Sequence, residues 1–134
     1  MRNIQSTLLY NWFEEVWNKS NENAIDQLMT DKAEFYGIET DNTAKGASGF
    51  KLFFRDFSNQ LKNIRIDVED VISQDDMESA RTVISAIHRE TNKTINFPGI
   101  CMVRVENGKI AEAWNSYDFL SMYLQLGKKL VDPE

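Results

Sequence analysis

The sequence predicts an α+β fold, with helices packed over a mostly antiparallel sheet. Three observations predict it. Apolar residues recur every three or four positions as far as Leu61, then every second position from Ile64 onward. The helical segments come before the run of strands instead of alternating with them, which separates α+β folds from doubly wound ones. Asn107–Gly108, between two alternating segments, is the pair that type I′ hairpin turns favour.

The first helix carries Ile4, Leu8, Leu9, Trp12, Phe13, Val16 and Trp17 on one side, with Asn3 as a candidate cap. Asn11, Glu14, Glu15 and Asn18 fall on the other side. A short second helix places Ala24, Ile25, Leu28 and Met29 together. Ala33–Ile38 is a short aromatic strand, and Asp41–Gly46 a polar turn. A third helix, with Ser48 near its start, carries Phe50, Phe53, Phe54, Phe57 and Leu61, a stripe expected to be core.

The strands follow. Ile64, Ile66 and Val68 alternate with Arg65, Asp67 and Glu69. Gln74–Asp76 is a turn, Ala80–Glu90 a long strand and Thr91–Lys93 a tight turn. Ile95–Val105 is the next strand, and Pro98–Gly99 inside it predicts a bulge or bend. Lys109–Tyr117 is the last strand. Phe119–Leu126 is a closing helix that Gly127 can terminate.

Composition bounds the function. A chain of 134 residues suits one domain, expected over 1–134. It can bury roughly two-thirds of its unfolded surface without a metal or disulfide staple. Eight Phe, four Tyr and three Trp favour a thick core or an aromatic-lined cavity. The net charge of -6 argues against nucleic acid and against anionic membrane surfaces as partners. Cys101 is the one cysteine, so no intramolecular disulfide can form, which fits a reducing compartment. Glu14 and Glu15 follow Leu8–Leu9 too closely for a signal-peptide core, and no apolar run reaches spanning length. A cytoplasmic location is the expectation.

The stretch RVENGKIAEAWNSYDFLSMYLQLG, Arg104 to Gly127, resembles the SnoaL-like polyketide cyclases. They carry a similar turn ending in Gly-Lys-Ile, then Glu, Trp and Asp, and a closing Gln-Leu-Gly. Here these are Gly108, Lys109, Ile110, Glu112, Trp114, Asp118, Gln125, Leu126 and Gly127. The resemblance implies the fold of nuclear transport factor two: a cone-like curved sheet, three N-terminal helices over it, and an enclosed pocket. It further implies a small apolar or aromatic ligand, no cofactor, and a homodimer through the open sheet face. The central hairpin departs from the cyclases. Where they carry a Gly-Thr-His type segment, this chain has HRETNKTINFPG. Isomerases, dehydratases and non-catalytic binding proteins of the wider superfamily therefore stay open alternatives.

Asp118 is the leading chemical candidate, because the matching aspartate of the cyclases is the general acid/base of an aldol ring closure. Trp114, Tyr117 and Phe119 flank it, and desolvation by such neighbours raises a carboxyl pKa. Its place at a strand-to-helix junction, with Ser121 three residues on, equally fits an N-cap. His88, the one histidine, shares a strand face with Thr82, Ile84 and Ala86; it is either a proton shuttle or a hydrogen-bonded structural residue. Arg104 could orient an acid/base or fix the sheet, with Glu112 or Asp118 as its carboxylate partner. Trp12, Tyr36 and Trp114 are candidate pocket liners, against the plainer reading of core packing. One His and one Cys make no zinc set. Phosphate loops and nucleophile elbows are absent. Two functions follow: a cofactor-independent cyclase, isomerase or lyase acting on an apolar carbonyl compound, or a non-catalytic binding or dimeric interaction module.

Overall fold

The computed structural model describes residues 3–38 and 45–133. The chain opens with a 3-10 turn, Ile4–Ser6, and then α1, Leu8–Trp12, which runs directly into π-helical turns over Phe13–Asn18. There the backbone bonds span five residues, as from Lys19 N to Glu14 O. The wider turn keeps Phe13, Val16 and Trp17 all buried on one side. Helix α2 is Asn23–Leu28, and strand β1 is Met29–Tyr36. Helix α3, Gly46–Gln60, leads without a loop into β2, Leu61–Gln74. Strands β3 (Met77–His88), β4 (Thr94–Glu106) and β5 (Lys109–Tyr117) follow, and α4, Phe119–Gln125, comes last.

Among the described residues, five strands form one curved, unclosed sheet in the order β1-β5-β4-β3-β2. Strand β1 runs parallel to β5, and the other pairs are antiparallel. The α+β prediction therefore holds. Alternation decides the two faces. On β4, Ile95, Phe97, Cys101 and Val103 are buried, while Asn96, Ile100 and Met102 are exposed. On β3, Ala80, Thr82, Ile84 and Ala86 point the same way as the buried side of β4. The Thr82 hydroxyl is satisfied there by donating to Gly99 O at 2.9 Å. Helices and inward sheet residues close on one core; truncating a fully buried ring such as Phe97 would cost about 3–5 kcal/mol.

Several boundaries differ from the sequence reading, each for a local reason. The first strand begins at Met29 rather than Ala33, because Met29 pairs with Ile110 of β5. The second begins at Leu61, and Asn63, at φ 54°, takes up the irregularity before Arg65. Helix α3 starts at Gly46, ahead of Ser48, and Lys45 gives no side-chain cap. Of the expected polar turn, residues 41–44 lie outside the described residues. No bulge occurs at Pro98–Gly99: β3 and β4 stay in register from Met77↔Arg104 to Ile87↔Thr94. Pro98 is tolerated because its carbonyl, which accepts from Asp118 N at 3.0 Å, faces the end of β5. No further β5 ladder group stands there to demand an N–H. The hairpin prediction holds, with Asn107 and Gly108 both at positive φ, 53° and 76°.

Candidate functional site

A cavity opens between the concave sheet face and the helices, with about 540 Å³ of space when its mouth is included. Trp12 and Trp17 form one wall, and Phe50, Phe53 and Phe57 of α3 form the next. The phenylalanine stripe is thus core and cavity wall at once, with Phe50 and Phe54 buried. The rings form a continuous chain. Trp12 meets Phe50 edge-on at 4.9 Å, Trp17 meets Phe57 at 5.6 Å, and Phe53 stacks on Phe57 at 5.5 Å. Phe119 at the start of α4 links Phe57 (6.5 Å) to Tyr117 (5.9 Å). Such offset and edge contacts hold aromatic walls in fixed positions.

The sheet supplies the floor. Ile84, Phe97 and Val103 are apolar, whereas Cys101, Asn115 and Tyr117 bring polar atoms. Cys101 pairs across the ladder with Asn115, and Gly99 with Tyr117. A Cβ at residue 99 would collide with the Tyr117 ring, so Gly99 is what lets that ring lie across β4. The Tyr117 side chain thereby reaches over β4 toward the Cys101 thiol, and both line the cavity. Burial pushes the thiol up to about 12, opposed by the nearby Tyr117 hydroxyl. Burial also holds Tyr117 well above its ordinary value, with the nearby thiol adding to it. Both groups are neutral at pH 7. Asn115 donates through Nδ2 to Tyr36 O at 2.9 Å, and its Oδ1 accepts no hydrogen bond among the described residues. Among the described residues, none that lines the cavity is charged.

The candidates from the sequence occupy different places. Trp12 is on the cavity wall. Asp118 is exposed and caps α4, one carboxylate oxygen accepting from Ser121 N at 2.9 Å. It lies between Tyr117 and Phe119, both cavity liners, without lining the cavity itself. His88 ends β3, its Nδ1 2.9 Å from the Thr91 hydroxyl in the turn. Arg104 lies on the outer sheet face, where it donates to Glu112 at 3.3 Å and Glu106 at 3.3 Å. These bonds, Glu112 first, raise the guanidinium above its usual value. Tyr36 and Trp114 stack at 6.2 Å on that outer face, and the Tyr36 hydroxyl donates to Glu34. Among the described residues, no group of three His, Cys, Asp or Glu side chains is placed to hold a metal ion.

Asn115, Tyr117 and Cys101 were not singled out as site residues from sequence, and one feature explains why. Counting back from the hairpin, Glu106 pairs with Lys109 and Val105 with Ile110, but Arg104 pairs with Glu112. Ala111 is an extra residue in β5. A one-residue slip exchanges the faces of a strand. Simple alternation from Ile110 would turn Trp114 inward; the bulge turns Asn115 and Tyr117 inward instead. The available signal was Gly99, a small residue opposite a large ring, and it is readable only once the register is known.

The family model described as SnoaL-like polyketide cyclase matches residues 7–126. Similar solved structures include a Bacillus cereus protein assigned as a polyketide cyclase, with 27% identity and TM-score 0.78 over 90% of this chain and 78% of that one. A SnoaL-like polyketide cyclase from Agrobacterium tumefaciens has 18% identity and TM-score 0.74, covering 91% of this chain and 99% of that one. A Catenulispora acidiphila protein with a ketosteroid isomerase-like fold, in complex with trimethylamine, has 14% identity and TM-score 0.81, covering 92% and 95%. The last two likenesses show the fold alone. No curated protein sequence matches the chain. No helix among the described residues is long and apolar enough to cross a membrane.

Proposed function

The chain belongs to the SnoaL-like polyketide cyclase family, and from that membership we propose that it binds a small, uncharged, largely apolar carbonyl compound in its aromatic cavity. The observation that carries the reading is the lining: among the described residues, a wall of aromatic rings, three polar side chains on the floor, and no charge. Sites of this make-up bury apolar ligands and orient them through a few polar groups. Calorimetric titration with flat ketones such as 2-acetylnaphthalene and 1-tetralone tests it. Saturable one-to-one binding that Trp12→Ala weakens is the expected result. A protein that takes up none of them overturns the proposal.

The chemical step that fits such a ligand is proton transfer at the carbon beside the carbonyl, the common start of ring closure, isomerisation and elimination. We assign that step to Asp118, supported by its place between two cavity liners. The carboxylate would remove the α-proton, leaving an enolate, and return a proton from solvent. Proton NMR of 1-tetralone in heavy water follows it directly. The α-protons should exchange faster with the protein present, and Asp118→Asn should abolish the acceleration. A non-catalytic binding role is the second reading, favoured by the exposure of Asp118 and its engagement as a cap. That reading expects binding without exchange.

A further inference from the structure

The cavity floor has a polar locus, beside Asn115, whose position is tightly set. The Tyr117 ring is held between Gly99, which leaves room for it, and Phe119, 5.9 Å away. Its hydroxyl stands at the Cys101 thiol, and sulfur is a weak hydrogen-bond acceptor. A carbonyl oxygen entering the cavity is the better acceptor. The thiol, neutral because burial holds its proton, can then turn its S–H toward the phenol oxygen. Neither partner is left unsatisfied. Among the described residues, no cation lines the cavity to offset a buried carboxylate or phosphate.

We propose that Tyr117 is the specificity-determining residue of the cavity, its hydroxyl donating to the carbonyl oxygen of an uncharged ligand and the wall around it rejecting the corresponding anion. This rests on the cavity being a ligand site and adds which group selects the ligand. Three probes of nearly equal shape separate the effects: 2-acetylnaphthalene, 2-isopropenylnaphthalene, in which C=CH2 replaces C=O, and 2-naphthoate.

Calorimetric titration at pH 7 should show the wild-type chain preferring the ketone over the alkene by about fivefold, the worth of one net hydrogen bond. Naphthoate should bind more than about tenfold weaker than the ketone. In Tyr117→Phe the alkene should bind as in the wild type, while the preference for the ketone is lost or reversed. Cys101→Ser, which offers the phenol a stronger competing acceptor, should lower the preference without altering the ring. A ketone preference that survives both variants, or naphthoate bound as tightly as the ketone, overturns the assignment while leaving the cavity a ligand site. Failure of all three probes to bind the wild type overturns the ligand-site reading, and this assignment with it.

Discussion

Glu78 of β3 places its carboxylate on the first backbone N–H groups of α1, Oε1 accepting from Leu9 N at 2.9 Å and Oε2 from Leu8 N at 3.2 Å. The side chain is buried, and the helix it caps is the one that carries Trp12 over the cavity. Two charge-assisted bonds to a helix N-terminus are strong for their kind. Glu78→Ala should therefore lower the unfolding free energy by about 2–3 kcal/mol. Urea titration reads this out, and a loss under about 0.5 kcal/mol would mean that Thr7, whose hydroxyl accepts from Tyr10 N, caps the helix unaided. Ligand affinity should fall with stability, because Trp12 loses its anchor.

Gly99 and Tyr117 are coupled by space. Gly99→Ala puts a methyl where the ring lies, and overpacking of this sort costs about 1–3 kcal/mol. In Tyr117→Ala the same methyl meets no ring. A double-mutant cycle should give a combined loss well below the sum of the two single losses. Additivity within about 0.5 kcal/mol would show that the ring does not lie across β4 as described.

The sequence carries much of this fold and less of the site, for physical reasons. Alternation along Ile64–Val68 and the Asn107–Gly108 turn are local signals, and the strands stand where those signals put them. The Arg104–Glu112 pair was one of two partners the sequence offered, and the Ala111 bulge selects it by bringing Glu112 opposite Arg104. The inward face of β4 was not, since Ile100 and Met102 are as apolar as Cys101 and Val103. Only packing against the helices separates them. The contacts of Glu78 with α1, and of Asn18 with β2, join residues far apart in the chain and leave no local signature. The Ala111 bulge hides the polar floor, because it exchanges the faces of β5 beyond Ile110. Asp118 is different, because both of its readings rest on the same junction, and the cap bond to Ser121 N uses only one of its oxygens.

Asn18, at the end of the π-helical turns, closes the outer edge of the sheet. Its Nδ2 donates to Ile66 O at 2.9 Å, and its Oδ1 accepts from Ile66 N at 2.6 Å. The side-chain amide thus stands in for a neighbouring strand at edge strand β2. Asn18→Ala should cost about 1–2 kcal/mol and speed amide exchange at Ile66. Unchanged exchange at that amide would mean the pairing does not persist in solution.

Alkaline stability follows from Cys101. Its thiol ionises near 9.0 when unfolded and is pushed up to about 12 by burial in the fold. Below the unfolded value both states keep the proton and stability is complete. Between the two values the unfolded chain releases its proton first, so stability falls by about 1.4 kcal/mol per pH unit. Tyr36, raised to about 12 by its hydrogen bond to Glu34, acts in the same direction, but its exposure makes its share small. Melting temperatures should decline from pH 9 upward, and Cys101→Ala should flatten the decline. At neutral pH the native thiol should react slowly with iodoacetamide, and rapid labelling would contradict its burial.

Asp118 can be separated into cap and acid by two substitutions. Asparagine caps a helix about as well as aspartate, whereas alanine does not. Asp118→Asn should keep near-wild-type stability, and Asp118→Ala should lose about 1 kcal/mol. Proton exchange at the bound ketone sorts the variants differently. An acid/base role needs an ionisable oxygen, so both variants should abolish the acceleration of exchange. A role confined to capping predicts that Asp118→Asn matches the wild type in every measurement and that Asp118→Ala differs only in stability. Asn keeps the cap and loses the proton-transfer group, so exchange that survives in Asp118→Asn while binding is unchanged would assign the chemistry, if any, to another residue. Tyr117 would be the first to test, since its hydroxyl stands at the cavity floor.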